Sequence, residues 1–201
     1  MGMQSFMSRY ANVNPVQVPH RKRKTVSWLP QIGEIFPDFT SDTTKGHLNF
    51  WDWAEGKWVF LFSQPTPSKA VCSEELVLFA DMAEEWEAAD VNLLAIGSVS
   101  KETQLAWHEM LKAQCDCEID FPVVIDESGR VAETFGMRQL REASVHTIRR
   151  SFVIDPNLRI RMIFDYPSVV PRNPDEVLRV ILSLKEHESQ IKTVMPIKAT
   201  I

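Results

Sequence analysis

A cysteine stands where a short apolar run gives way to a helical pattern, in the segment "FSQPTPSKAVCSEELVLF" that ends at Phe79. A thiol at a helix N-terminus faces backbone N–H groups without partners and the positive end of the helix dipole. Both favour the thiolate, which is the nucleophilic form of cysteine. From position alone, Cys72 is either a reactive thiolate or a small buried apolar residue, and both interpretations stay open.

The elements around Cys72 follow from the spacing of apolar residues. Short apolar runs between turn-forming residues predict buried strands, here over 58–63, 91–97 and 121–126. Apolar residues at helical spacing predict helices over 73–89, 101–113 and 129–136. The runs at 150–155 and 158–164 are joined by Pro156-Asn157 and predict two strands connected by a turn.

A final helix has the clearest predicted start. Asn173 is a good N-cap, Pro174 suits the first helical position, and Glu176 completes an arrangement like a capping box. The order β-α-β-α-β-(α)-β-β-α predicts an α/β fold, with a mixed central sheet flanked by helices on both faces. A thioredoxin-like domain has this order, with its chemistry at the first strand-to-helix junction, where Cys72 lies.

Charge and proline content divide the chain. Residues 1–33 hold five Lys or Arg and no acid, which leaves 17 basic against 27 acidic residues in the rest. An acidic body argues against nucleic acid as a partner. We expect a basic, loosely structured arm over 1–30, a thioredoxin-like domain over 31–188 and a short tail over 189–201. The RKRK segment at 21–24 indicates a solvated arm, with contact to an anionic partner as the alternative.

Cysteine usage and the N-terminus bear on the compartment. The three cysteines are an odd number and do not indicate a disulfide framework. No run approaches the ~20 apolar residues of a membrane span, and the N-terminus lacks the apolar core of a secretory signal. We therefore expect free thiols in a reducing, cytoplasmic setting. A transit peptide is the alternative for the acid-free N-terminal segment.

Several segments, in order over roughly residues 30–188, resemble the peroxiredoxins of the AhpC/TSA family. Pro65 precedes Cys72 by seven residues, as in the signature Pro-x-x-x-Thr/Ser-x-x-Cys. The segment "IGEIFPDFTSDTTKG" resembles the family's opening hairpin, and "SVSKETQLAWHEML" resembles its helix with Trp. The segment "FPVVIDESGRVAETFGM" resembles its Phe-Pro segment, and "RRSFVIDPNLRIRMIFDYPSVVPRNPDEVLRVILSL" resembles its closing hairpin and helix. The pattern Tyr-Pro-x-x-x-x-Arg-Asn at 166–173 is most similar to the one-cysteine class.

The resemblance implies a thioredoxin-like three-layer fold with an N-terminal hairpin extension. It also implies a thiol-dependent peroxidase that needs no metal or other cofactor. The Cys72 thiolate would attack hydrogen peroxide or a small alkyl hydroperoxide, become a sulfenic acid and release water or an alcohol. An external thiol would be the reductant, and the protein would be a homodimer without a nucleic-acid or membrane partner.

The same resemblance assigns roles to residues beyond the cysteine. Pro65 would shield the thiolate from water, and Arg149 would be the activating arginine, with Arg150 as the fallback if the register slips by one. A guanidinium is permanently charged and offers several donors, so it can hold both thiolate and peroxide oxygen. Glu75 and Arg172 match a supporting Glu/Arg pair of the family.

Two positions depart from the motif. Lys69 replaces the Thr or Ser expected three residues before the cysteine, and Gln64 replaces the His that often precedes the motif Pro. A hydroxyl both donates and accepts hydrogen bonds, whereas an ammonium only donates. Lys69 would pair with the thiolate, or would turn to solvent and leave the role to Ser68. The alternative function is a catalytically weakened relative that acts as a redox sensor or as a binding or chaperone-like module.

The other two cysteines leave open which thiol reacts with Cys72 after its oxidation. Two-cysteine relatives carry a second Cys-Pro after the last helix, where this chain has Met195-Pro196. Cys115 and Cys117 form a lone C-x-C, which lacks the second pair that a zinc site needs. They are either ordinary thiols or the thiols that resolve oxidised Cys72.

Overall fold

A seven-stranded mixed sheet forms the middle layer of the protein. The computed structural model describes residues 30–64, 70–137, 149–167 and 170–194. Its strands are β1 (Thr40–Thr43), β2 (Gly46–Asn49), β3 (Trp58–Gln64), β4 (Val91–Gly97), β5 (Val123–Ile125), β6 (Arg149–Ile154) and β7 (Ile160–Tyr166). They lie in the order β2-β1-β5-β4-β3-β6-β7, with β3, β4 and β5 parallel and the other pairings antiparallel. The predicted mixed central sheet and the opening hairpin are confirmed.

Helices cover both faces of this sheet. They are α1 (Phe50–Ala54), α2 (Ala70–Asp81), α3 (Ala83–Ala88), α4 (Lys101–Cys115), α5 (Arg130–Thr134) and α6 (Pro174–Val194). One core joins the even-numbered residues of β3 to α2, α4 and α6, and the other joins its odd-numbered residues to α1 and α5. Every residue of β3 is buried, and the residues from Trp58 to Phe62 are the continuous apolar run that predicts this strand.

The helix predicted over 73–89 is two helices with a break at Met82. The Trp86 indole N–H donates to the Phe79 carbonyl at 3.0 Å. Because the side chain supplies a partner for that carbonyl, the interruption leaves no unpaired acceptor there. The first of these two helices, α2, also begins three residues earlier than predicted, at Ala70, so Cys72 lies inside its first turn.

The closing hairpin is shifted from its predicted ends. The turn after β6 runs from Asp155 to Leu158, whose φ of 62° is left-handed. The Asp155 carboxylate accepts from the backbone N–H groups of Asn157 and Arg159, which stabilises this turn. β7 therefore begins at Ile160 and ends at Tyr166, opposite Arg149.

The start of α6 confirms the predicted N-cap, because the Asn173 side-chain oxygen accepts from the Glu176 backbone N–H at 3.3 Å. The second hydrogen bond of a capping box, in which the Glu176 side chain would bind back to Asn173, is wrong as a prediction, because the Glu176 carboxylate binds Arg179 one turn later. The helix continues to Val194, six residues past the end predicted for the domain. Nearly all of the predicted arm lies outside the described residues, so the three-part division stays a prediction.

No helix within the described ranges is long and apolar enough to cross a membrane.

Candidate active site

Cys72 lies in the first turn of α2 with only 1% of its surface exposed. Its cluster includes Phe62 of β3 and Phe79 of α2, whose rings stack with centroids 4.9 Å apart. The Trp107 indole N–H of α4 donates to Ser73 Oγ at 3.2 Å. These contacts fix the first turn of α2 against both the sheet and α4.

Arg149, the first residue of β6, contacts the cysteine directly. Its Nη2 donates to Cys72 Sγ at 3.2 Å, and its Nη1 donates to Glu75 Oε2 at 2.5 Å. The Arg149 side chain is fully buried and that of Glu75 is nearly so. A guanidinium held this way places a permanent positive charge against the sulfur, and therefore stabilises negative charge on it.

Arg172 completes the network from the segment that leads into α6. Its backbone N–H and Nη1 donate to the two oxygens of Glu75 at 2.7 and 2.8 Å. Its Nε donates to Ser151 Oγ at 2.6 Å and its Nη2 to Ser63 Oγ at 3.0 Å. Burial lowers the pKa of Arg172 to about 10, while Glu75 favours the charged form. Arg172 therefore remains charged near neutral pH.

The charges of this network do not balance without the cysteine. Two buried guanidinium groups, of Arg149 and Arg172, share one buried carboxylate, that of Glu75. Buried charge is costly unless it is paired. A thiolate on Cys72 brings the four side chains to neutrality, so the arrangement favours an anion at this sulfur.

Arg150, the predicted fallback, lies on the other face of β6. Its guanidinium makes a two-point ion pair with the exposed carboxylate of Asp165, with both N···O distances at 2.7 Å. Successive residues of a strand point to opposite faces, so only one of two adjacent arginines can reach the cysteine. Arg149 is therefore the member of this adjacent pair that contacts Cys72.

The strand-to-helix connection holds the remaining predicted residues. Pro65, Ser68 and Lys69 lie outside the described residues, so whether Lys69 or Ser68 acts on the sulfur stays an open prediction. Gln64 is the last residue of β3 and is 3% exposed. Neither polar atom of its side chain has a hydrogen-bond partner among the residues described.

The other two cysteines differ from Cys72 in their surroundings. All three are free thiols, with Cys115 exposed at the end of α4 and Cys117 buried. Burial, with a contribution from Asp81, raises the pKa of Cys117 to about 11. At pH 7 only about one Cys117 in 10⁴ is then a thiolate, which makes it a poor nucleophile. The described residues contain no group of three or more His, Cys, Asp or Glu side chains that could hold a metal ion.

Sequence reasoning missed the two serines that hold Arg172. Ser63 and Ser151 are fully buried in strands that are otherwise largely apolar. A small polar residue inside a buried strand needs a partner. That conflict with the apolar pattern was the available signal, but it does not say which distant residue is the partner.

The fold and the site together define a class of protein. A cysteine in the first turn of a helix that follows a central strand, held against a buried arginine, is the arrangement of a thiol-dependent oxidoreductase with a thioredoxin-like fold. The structure resembles a yeast mitochondrial 1-Cys peroxiredoxin with a TM-score of 0.74 and 34% identity, over 80% of this chain and 79% of that one. It also resembles peroxiredoxin 6 of Arenicola marina, with a TM-score of 0.72, 30% identity and coverage of 77% and 73%.

Sequence comparison identifies the family. The AhpC/TSA family model matches residues 32–163. A peroxiredoxin of Methanosarcina mazei is 34% identical over an alignment of 168 residues, which covers 81% of this chain and 77% of that protein. The chain belongs to the AhpC/TSA family, the peroxiredoxins, and is a thiol-dependent peroxidase.

Proposed function

We propose that Cys72 is the thiol that reduces the peroxide, and that the substrate is hydrogen peroxide or a small alkyl hydroperoxide. The observation that carries this proposal is the 3.2 Å contact between Arg149 Nη2 and Cys72 Sγ. Cys115 and Cys117 have no such contact with a buried cation among the described residues, and burial raises the pKa of the Cys117 thiol to about 11. Cys72 is therefore the cysteine best suited to attack.

The reaction is a two-electron oxidation of sulfur. The thiolate attacks the terminal oxygen of R–O–O–H, an S–O bond forms and the O–O bond breaks. The electron pair of that bond leaves on the R–O oxygen, which takes a proton from solvent and departs as an alcohol, or as water when R is hydrogen. Cys72 is left as a sulfenic acid. Arg149 stabilises the negative charge as it moves from sulfur to oxygen.

Glu75 and Arg172 act through Arg149 and do not touch the substrate. Glu75 binds both guanidinium groups, and Arg172 anchors Glu75 while Ser63 and Ser151 anchor Arg172. We assign Pro65 to shielding the thiolate, and Lys69 or Ser68 to the sulfur or the peroxide. The assignments of Pro65 and Lys69 rest on their positions in the motif, and Ser68 is the alternative hydroxyl one residue away.

An external thiol is the proposed reductant, because Cys117 is a poor nucleophile and Cys115 lies exposed at the C-terminal end of α4 whereas Cys72 is buried. In the yeast mitochondrial 1-Cys peroxiredoxin, the thiol is resolved via the glutathione and thioredoxin systems. We further propose that this chain forms a homodimer and works in the cytoplasm. Sedimentation and subcellular fractionation test these two points, and a mitochondrial location would contradict the second.

Single-cysteine variants test the assignment of Cys72. With dithiothreitol as the reductant, we expect Cys72→Ser to abolish peroxide consumption. Cys115→Ser and Cys117→Ala are expected to retain the wild-type rate within about twofold, because Cys115 is exposed and Cys117→Ala is a small change in the core that leaves the contact of Arg149 with Cys72 in place. Peroxide consumption that survives in Cys72→Ser would contradict the assignment.

A further inference from the structure

The side chain of Gln64 is buried without a hydrogen-bond partner, and no other buried side chain in the described ranges is left in this state. Its neighbour in sequence, Ser63, accepts from Arg172, so the arginine network begins one residue away. A buried amide offers two donors and one acceptor, and leaving all of them unpaired is destabilising. Such a group at the edge of an active site points to a ligand that completes it.

The sheet indicates which face Gln64 occupies. Two residues earlier on β3, the Phe62 ring stacks on Phe79 of α2, and the Arg172 guanidinium lies 5.6 Å from the centre of that ring. Since side chains alternate along a strand, Gln64 lies on the same face as Phe62, one step closer to the carboxyl end of β3.

The neighbouring strand gives the same assignment independently. Gln64 pairs with Gly97 in the parallel β3–β4 ladder. A Cβ on Gly97 would come within 3.0 Å of Gln104 Oε1 on α4, so this face of the sheet is the one covered by α4. Paired residues in adjacent strands project to the same face. Gln64 therefore lies on the Cys72 side, at the end of β3 from which the chain leads into α2.

We propose that Gln64 is a substrate-positioning residue that binds the hydroperoxide group at Cys72. Its Oε1 accepts the O–H of the terminal oxygen, and its Nε2 donates to the R–O oxygen. The amide is uncharged and has complementary donor and acceptor atoms, which matches a neutral –O–O–H group. This proposal rests on the proposed function of Cys72.

The two hydrogen bonds have different parts in the reaction. The bond from the peroxide O–H to Oε1 orients the terminal oxygen towards the thiolate before attack. The bond from Nε2 strengthens as the O–O bond breaks and negative charge appears on the R–O oxygen. No proton is lost by the amide, because the departing oxygen takes its proton from solvent. Gln64 thus lowers the barrier without changing its own charge.

Gln64→Met tests this role with a side chain of similar length and no hydrogen-bonding amide. The reduced protein is mixed with hydrogen peroxide in one series and with methyl methanethiosulfonate in the other. Modification of the peptide that contains Cys72 is followed by mass spectrometry. We expect the peroxide reaction to slow by at least about 10-fold, because one preorganised donor is commonly worth 10²–10³ in rate. The methanethiosulfonate reaction, which uses no peroxide, is expected to stay within twofold.

Gln114→Met, at an exposed position on α4, is the matched control and should leave both rates unchanged. Gln64→Leu is the second variant if Gln64→Met does not fold. Equal slowing of both reactions would overturn the proposal, since Gln64 would then position the cysteine and not the substrate. An unchanged peroxide rate would also overturn it. A wild-type protein no faster than free cysteine would instead refute the peroxidatic role of Cys72.

Discussion

Replacing Arg149 by glutamine is expected to slow the reaction of Cys72 with hydrogen peroxide by about 10²–10³-fold, the usual effect of losing one preorganised charged donor. The substitution removes the Nη2–Sγ contact of 3.2 Å and the positive charge against the sulfur. Glu75 keeps its pairing with Arg172, so the carboxylate is not left alone in the core. The variant should therefore fold, and the loss should appear in the rate.

Arg150→Gln provides the control, because Arg150 is adjacent in the same strand but binds the exposed Asp165. A partly exposed ion pair contributes about 0–1 kcal/mol, and we expect this variant to react with peroxide at the wild-type rate within about twofold. The measurement is the second-order rate constant from stopped-flow mixing. Arg149→Gln reacting within threefold of wild type would remove Arg149 from the mechanism.

Replacing Glu75 by glutamine is expected to destabilise the protein by about 3–5 kcal/mol, the usual effect of breaking a buried ion pair from one side. The carboxylate is the acceptor that both Arg149 and Arg172 share, and the amide cannot neutralise either of them. Two guanidinium groups would then face each other in the core. With about 2–4 °C of Tm per kcal/mol for a chain of this size, we expect Tm to fall by roughly 6–20 °C.

Glu176→Gln is the matched control for charge removal, because Glu176 pairs with Arg179 on an exposed face of α6. Its effect on Tm should be small beside that of Glu75→Gln, because an ion pair between exposed side chains contributes little to stability. Combining Glu75→Gln with Arg149→Gln should cost less than the sum of the two, since the second change removes one of the unpaired cations. Additive effects in calorimetry would show that the side chains are not coupled.

The parts of the fold set by local rules were predictable from the sequence. β4 was predicted at its observed ends, and β3 to within one residue, because a strand buried on both faces is a continuous apolar run. The N-cap at Asn173 was predictable because it depends on a residue three positions away. The partner of the Glu176 carboxylate was not predictable in this way, because Arg179 at the next turn binds it.

The site was predictable only where motif spacing carried the information. The spacing from the closing hairpin indicated Arg149, and the alternation along β6 separates it from Arg150. The pairing of Glu75 with Arg172, which are 97 positions apart, was expected only from the family resemblance, because no local pattern contains that separation. Ser63 and Ser151 were missed because their partner, Arg172, is also distant in sequence and the resemblance did not name them. The break at Met82 was also missed, and the Trp86 side chain that pairs with the Phe79 carbonyl there is a contact that periodicity does not show.

The central claim is that Cys72 is a preorganised peroxidatic thiol, and single-turnover oxidation of the wild-type protein tests it most directly. Reduced protein is mixed rapidly with one equivalent of hydrogen peroxide, the sulfenic acid is trapped with dimedone, and the modified cysteine is located by mass spectrometry. We expect the dimedone adduct at Cys72. We also expect Cys72 to react with hydrogen peroxide on the order of 10³-fold or more faster than free cysteine does, because orientation and the Arg149 charge act together. A rate equal to that of free cysteine, or first oxidation at Cys115 or Cys117, would contradict the claim.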